Sequence, residues 1–501
     1  MKGWINDLLR TAWGFLFWNV RKGWYRLRGA RGRCPCQHPS DSGAAHVTGC
    51  EAVIGWAKPA RFRRICPLLE RGADGRWCCS VNAKDVRPFW GRAAATGLAV
   101  VAGAYLAGTL ALFGLLRARG YALGFQQVVW LPTLRVAFPR AQSELFLRQA
   151  RADFEAGRIS ETIVALQVAW RSDPTDYATG LLLAHFIQGA DLRGAAQIYT
   201  RLRAEHPDKR AEVTRAWFYT LLTHGDFADV AKLAREELAT QPGEAVWLNA
   251  LVFACRQQRD AATLETLATA PGNLPAAWRE VAALEAAALR GIGPDEALHA
   301  RLRAWPPADA PGYAWFYRID RLLAGGWTAD ALEGLVAARG HLPDRDIAPL
   351  LWAAYAAAGD NPTRSRELKK FLATRPRLND AEVTLLCAHL IRFPLPEALT
   401  ALAEAWRRDA GPPDAARLPL ALAMYCAAAA GRDDIIQGEI AEWIRMAAGG
   451  RLPDTLNSFA EILRTPGQDR LISRLLPTLP TMSLDVVYAL IYNNLKPIKP
   501  I

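Results

Sequence analysis

The 501-residue sequence lacks the short signatures of the common enzyme chemistries. It has no H-E-x-x-H zinc pair, no P-loop, no G-x-G-x-x-G fingerprint and no G-x-S-x-G nucleophile elbow. His185, His206, His224, His299, His341 and His389 are isolated in sequence from suitable ligand or nucleophile partners. The carboxylates are spread along helix faces, where i,i+4 pairing accounts for them. No catalytic residue is therefore expected, although groups from separate helices can still converge in space. Long disorder is excluded too, because 51% of residues are apolar and only 22% are charged.

Acidic residues are scarce at the amino terminus. Residues 1–92 hold 6 Asp/Glu against 17 Lys/Arg, whereas residues 93–501 hold 43 against 44. The net charge of +12 thus belongs to a small head, and the body is nearly neutral. The head also carries seven of the 18 tryptophans and six of the nine cysteines.

Charge is wholly missing from Ala93 to Leu116, a run of 24 residues bracketed by Arg92 and Arg117. At ~1.5 Å rise per residue such a helix covers a hydrocarbon core of about 30 Å. A retained transmembrane helix is expected over 93–116; the alternative is a buried helix of a soluble domain. Its small residues (Ala99, Gly103, Ala107, with Ala104 and Gly108 beside them) are spaced to let two such helices approach, so a homo-oligomer is one expected partner state. The basic flanks nearly balance. The rest of the head favours the anionic cytoplasmic leaflet, which would put the body outside. The stretch 121–138 is a re-entrant candidate, a reading that would return the body inside.

Ile5, Leu9, Trp13, Leu16, Val20, Trp24 and Leu27 recur at helical spacing, with Asp7, Arg10, Arg21, Lys22 and Arg28 on the opposite side. A basic helix with tryptophans at its edges suits a lipid interface, so residues 1–30 are expected to lie on the membrane. The alternative is that the apolar stripe packs on the Cys-rich segment. Gly3, Gly14 and Gly23 weaken the helix intrinsically.

Residues 31–91 form a basic segment with Cys34, Cys36, Cys50, Cys66 and the adjacent Cys78 and Cys79. Paired C-x2-C knuckles are missing. A segment this short and Pro/Gly-rich builds a poor core, which a metal or disulfides would supplement. In a reducing compartment structural zinc is the expectation, held by four of the six cysteines: Cys36, Cys50 and Cys66, completed by Cys34 or by one of Cys78 and Cys79. His38 and His46 are substitutes. Disulfides, an iron–sulfur cluster and free thiols are the alternatives. Basic residues beside a span point to lipid contact before nucleic acid.

Beyond about residue 141, alanine, leucine and arginine dominate at helical spacing. Gly157 precedes Pro174 by 17 residues, and the same interval separates Gly225 from Pro242, Gly326 from Pro343 and Gly359 from Pro376; Gly189 to Pro207 is 18. Glycine suits the turn that ends one helix, and proline opens the next unit. The unit is a helix pair of about 34 residues, out of phase over 243–310. Ala150, Gly157, Ala169 and Pro174, and later Ala331, Leu335, Ala338 and Pro343, resemble the tetratricopeptide repeat (TPR) family, with Thr162 and Arg364 departing from its small-residue position.

The expected fold is therefore all-α: a TPR-like α-solenoid over 141–480 after a single transmembrane helix, a linker over 117–140 and the Cys-rich head. Residues 481–501 would add a terminal helix and an exposed Pro/Lys tail. The resemblance implies a groove that holds peptides or proteins. Its candidate anchors are Trp170, Trp217, Tyr219, Trp247, Trp315, Tyr317, Trp352 and Tyr355, for which repeat core is the alternative role. A membrane-anchored scaffold of bacterial inner-membrane type is the leading expectation. A zinc- or redox-responsive signalling protein, or an envelope-polysaccharide enzyme with a site formed across repeats, are the alternatives.

Overall fold

The computed structural model describes residues 2–36, 49–270, 274–291, 296–375, 377–409, 411–450, 454–465 and 471–494. His38, His46, Pro376 and the tail 495–501 lie outside them. The chain divides into two compact units, Met1–Asp173 and Pro174–Ile501, and its described residues are predominantly helical.

The first unit begins with α1 (Lys2–Leu27), which lies on a small module built round an antiparallel pair, β1 (Leu69–Arg71) and β2 (Trp77–Cys79). The apolar stripe of α1 does not face that module. Trp13, Leu9 and Leu27 are 67%, 65% and 82% exposed, while Asp7, Phe15, Asn19, Lys22 and Tyr25 are buried. Asp7 and Lys22, expected on a solvated side, form the packed face instead. Asp7 accepts the N–H groups of Ala57 (2.8 Å) and Lys58 (3.1 Å) and pairs with Arg61 at 2.8 Å. Burial works against its charged form, but these bonds outweigh burial and hold the carboxyl below its ordinary range. Gly14 also has a positive role: a Cβ there would meet Ile65 at 3.0 Å, so its small size lets α1 approach closely.

Helix α2 (Trp90–Ala118) spans 29 residues and is long and apolar enough to cross a membrane; only 6% of its apolar window is buried. Residues 117–140, expected as a linker, are largely helical. The chain turns back through α3 (Phe125–Val129), whose Phe125 ring meets Phe113 of α2 at 5.6 Å. The Tyr105 hydroxyl, near mid-helix, donates to the Val129 carbonyl. The next helix, α4 (Leu131–Glu155), returns along the hairpin, and its Arg148 donates to Gly120 O at 2.7 Å. Gly157, at φ +73°, leads from α4 into α5 (Ile159–Ser172).

In the second unit eight helix pairs follow among the described residues. They are α6 (Tyr177–Ile187) with α7 (Leu192–Glu205), α8 (Arg210–His224) with α9 (Phe227–Thr240), and α10 (Ala245–Gln258) with α11 (Ala261–Thr269). Then come α12 (Ala276–Arg290) with α13 (Glu296–Ala304), α14 (Gly312–Ala324) with α15 (Thr328–Ala337), and α16 (Asp344–Ala357) with α17 (Asn361–Ala373). The last two are α18 (Asp380–Arg392) with α19 (Pro396–Asp409) and α20 (Leu418–Ala430) with α21 (Asp434–Ala447). Gly225, Gly326 and Gly359 adopt positive φ between the helices of their pairs, as the repeat reading requires. The irregular phase over 243–310 has a local cause: Arg259, not glycine, takes the left-handed position (φ +55°) that ends α10, and α11 and α13 are only nine residues long.

First helices stack on first helices from α10 through α20. The carboxyl-terminal helices α22 (Thr455–Arg464), α23 (Leu471–Leu475) and α24 (Leu484–Asn494) run back across this row. Helix α24 lies along α18, while α23 reaches α8. Phe253 of α10 meets Tyr488 at 4.5 Å and Tyr492 at 5.1 Å, and Met482 N–H donates to the Tyr219 hydroxyl at 2.9 Å. Val486, Val487 and Leu490 are fully buried. Each such aliphatic side chain contributes about 1.5–3 kcal/mol, so α24 is core and not an appendage.

Candidate functional site

Two regions concentrate polar chemistry, one in each unit. In the head, Cys36, Cys50, Cys66 and Cys79 line a cavity of about 10 Å³ together with Lys22 and Phe62. That volume holds about one water at most. The register of the strand pair separates the adjacent cysteines: Cys79 opposes the buried Leu69, whereas Cys78 opposes Glu70 and leans on its carbonyl at 3.7 Å. Cys79 is therefore the member of the pair that joins the cluster. Cys34 is buried beside Cys36. A hydrogen bond from Cys36 pulls the Cys34 thiol down to about 6 against the opposing effect of burial, and Cys36 is correspondingly held up. Burial pushes Cys50 up to about 11.

The sequence reading missed Lys22. It is 1% exposed, and among the described residues its one hydrogen-bond acceptor is Cys66 Sγ at 2.9 Å. The Phe89 and Phe62 rings lie 5.6 and 6.0 Å from its ammonium. Among the described residues all the cysteines are free thiols, and no three His, Cys, Asp or Glu side chains are arranged to hold a metal ion. The thiols gather round an ammonium.

In the repeat unit a cavity of about 420 Å³ opens between the first helices and α24. One wall is an ion network. Glu285, fully buried, accepts from Arg256 Nε (2.7 Å) and Nη2 (3.0 Å), from Arg321 (3.2 Å) and from the Tyr317 hydroxyl (2.9 Å). Arg256 also reaches Asp320 at 2.9 Å and donates to the Tyr492 hydroxyl at 3.1 Å. Burial opposes ionisation of Glu285, yet the two guanidiniums and the hydrogen bonds bring its pKa down to about 2. Across the cavity stand Asp346, Asp485, Arg392 and His389. Burial raises both aspartates, and Asp346 raises Asp485 further. His389 is 5% exposed, its Nε2 has no hydrogen-bond partner, and burial with the charges of Arg364 and Arg392 pushes it down to about 3. It is neutral, and its unpartnered Nε2 is itself buried. Five helices and α24 supply these groups, so no local spacing marks them; the only signal is charge inside otherwise apolar stretches such as ALEAAALR.

The expected aromatic anchors are mostly core. Trp170, Trp247, Trp315, Tyr317 and Trp352 are buried. Trp352 sits edge-on to Phe371 and His389, Trp315 stacks on His341 at 4.7 Å, and Tyr317 serves the ion network. Trp217, Tyr219 and Tyr355 are half-buried: Trp217 stacks on Tyr199 under Arg203, and Tyr219 holds Met482. No protein-family model matches the chain, no curated protein matches it, and no solved structure matches it.

Proposed function

We propose that the chain is a membrane-anchored, TPR-like scaffold of bacterial inner-membrane type, which holds a partner protein segment at the cavity of its helical-repeat unit. The observation that carries this reading is the inverted first unit, in which the polar face of α1 is buried and its apolar face is exposed beside an uncovered apolar helix, α2. Water does not favour that arrangement, and a bilayer does. The mode of binding differs from an open groove, because α24 already covers part of the inner row of helices. What stays open is the 420 Å³ cavity, with His389 in its lining.

The α3–α4 hairpin bears on orientation. It dips to the level of Tyr105 and returns, so it emerges on the side where α2 ends. On this reading a re-entrant 121–138 need not return the body to the side of the head. With the basic head on the cytoplasmic leaflet, the body lies outside. A reporter active only outside the cytoplasm, fused at the carboxyl terminus, is expected to be active; activity of a cytoplasm-only reporter would reverse the orientation. Capture from detergent extracts with the full chain should enrich envelope proteins that the cavity-filling Ala353→Trp variant no longer retains. Equal recovery by both chains removes the cavity as the binding site.

A second reading, a zinc- or redox-responsive head, rests on the four thiols that line one small cavity and would have to draw together to hold a metal. A tetrathiolate zinc site of Cys36, Cys50, Cys66 and Cys79 would carry excess negative charge, and the Lys22 ammonium would offset it from outside the ligand shell. Full-length protein purified in detergent is then expected to contain close to one zinc per chain, lost in Cys36→Ser. Protein that neither contains nor takes up zinc sinks the metal reading.

A further inference from the structure

The exposed surface of α1 contains a groove at its junction with the apolar helix. Val20, Gly23, Trp24, Leu27, Pro88 and Trp90 line about 550 Å³ of space, with Arg26 at the same site. Trp90 is the first residue of α2, three positions before its charge-free run, so the groove falls at the depth where a bilayer changes from headgroup to acyl chain. The groove walls are two half-exposed indoles and two aliphatic side chains. Gly23 forms its floor: a Cβ there would come no closer than 3.6 Å to Trp90. Asn19 fixes the geometry by accepting the Phe89 N–H at 2.8 Å, which ties α1 to the start of α2.

The charge around the groove is one-sided. Arg26 makes no ion pair among the described residues, and Arg21, Arg28, Arg87 and Arg92 are close in sequence. Among the described residues of the head, Asp7 pairs with Arg61 and Asp74 with Arg76, and neither pair uses a groove residue. An apolar slot with an unpaired guanidinium at interfacial depth matches an acyl chain joined to a phosphate, since arginine binds phosphate through parallel N–H donors. We propose that this groove is a binding site for an anionic phospholipid, with one acyl chain between Trp24 and Trp90 and the phosphate on Arg26. The proposal rests on the membrane-anchored reading of α2, and it adds a stoichiometric lipid site to general adsorption of α1.

The test uses the full chain in nanodiscs of phosphatidylcholine doped with a phosphatidylglycerol that carries a photoactivatable group on its acyl chain. Cross-linked residues are mapped by mass spectrometry. Labels are expected on Val20–Leu27 and at Trp90, competed by unlabelled phosphatidylglycerol and not by phosphatidylcholine. Arg26→Gln is expected to lower groove labelling about tenfold through loss of a charged hydrogen bond. Gly23→Leu, which fills the floor without a strained backbone, should abolish it. Labels along Leu98–Leu112 report anchoring separately and should be unchanged in both variants. Labelling of α2 without the groove, or groove labelling indifferent to headgroup and to both substitutions, overturns the lipid site and leaves the anchor standing. An unlabelled α2 overturns the anchor as well.

Discussion

Replacement of Glu285 by alanine is expected to destabilise the repeat unit by about 3–5 kcal/mol, the range for breaking a buried ion pair by removing one partner. The carboxylate is fully buried and takes hydrogen bonds from Arg256, Arg321 and Tyr317. Without it two guanidiniums keep their charge beside α24 with only Asp320 as a carboxylate partner for Arg256. The loss should spread to the carboxyl terminus, because Arg256 also holds the Tyr492 hydroxyl. The same group gives the unit an acid limit. Its native pKa of about 2 lies below the ordinary 4.5, so its stabilisation is complete above about 4.5 and disappears as pH falls from there through about 2. Denaturant unfolding of the full chain in detergent, followed against pH, should show this decline in the parent and not in Glu285→Gln. A change below about 1 kcal/mol in the alanine variant would mean that the network carries no net stability.

The head has an equivalent weak point of opposite sign. Cys66→Ala takes the hydrogen-bond acceptor from an ammonium that is 1% exposed, leaving Lys22 with the two phenylalanine rings. A loss of about 1.5–3 kcal/mol is expected, read as faster hydrogen exchange at the amides of residue 66 and Ser80, which bond to Phe62 O and Leu68 O. Adding Lys22→Met to Cys66→Ala should restore most of the protection, because an apolar chain of similar length removes the unpaired charge. This rescue separates two roles for the thiol. A lost zinc ligand is not recovered by deleting a lysine, so a double variant as unstable as Cys66→Ala would assign Cys66 to a metal. Single-variant exchange equal to the parent's would exclude both roles.

Legibility in the sequence followed the range of the interactions. The charge-free run predicted α2, the stripe from Ile5 to Leu27 predicted α1, and the glycine-to-proline interval predicted the helix pairs, because each signal lies within one helix or one helix pair. Where the local signal was absent the reading lost phase, as at Arg259, whose left-handed backbone replaces the expected glycine.

Tertiary structure alone decided which face each helix buries and what fills the inner row of the repeats. Periodicity identifies two faces of α1 but not the partner of either, and the Asp7, Gly14 and Lys22 side proved complementary to a module about 44 to 51 residues distant. Alternation along β2, set by pairing with β1, chose Cys79 over Cys78. The return of α24 to Phe253 joins positions more than 230 residues apart, and the Arg256–Tyr492 bond spans 236. Contacts of that separation follow from how the units stack, and no spacing within the chain encodes them.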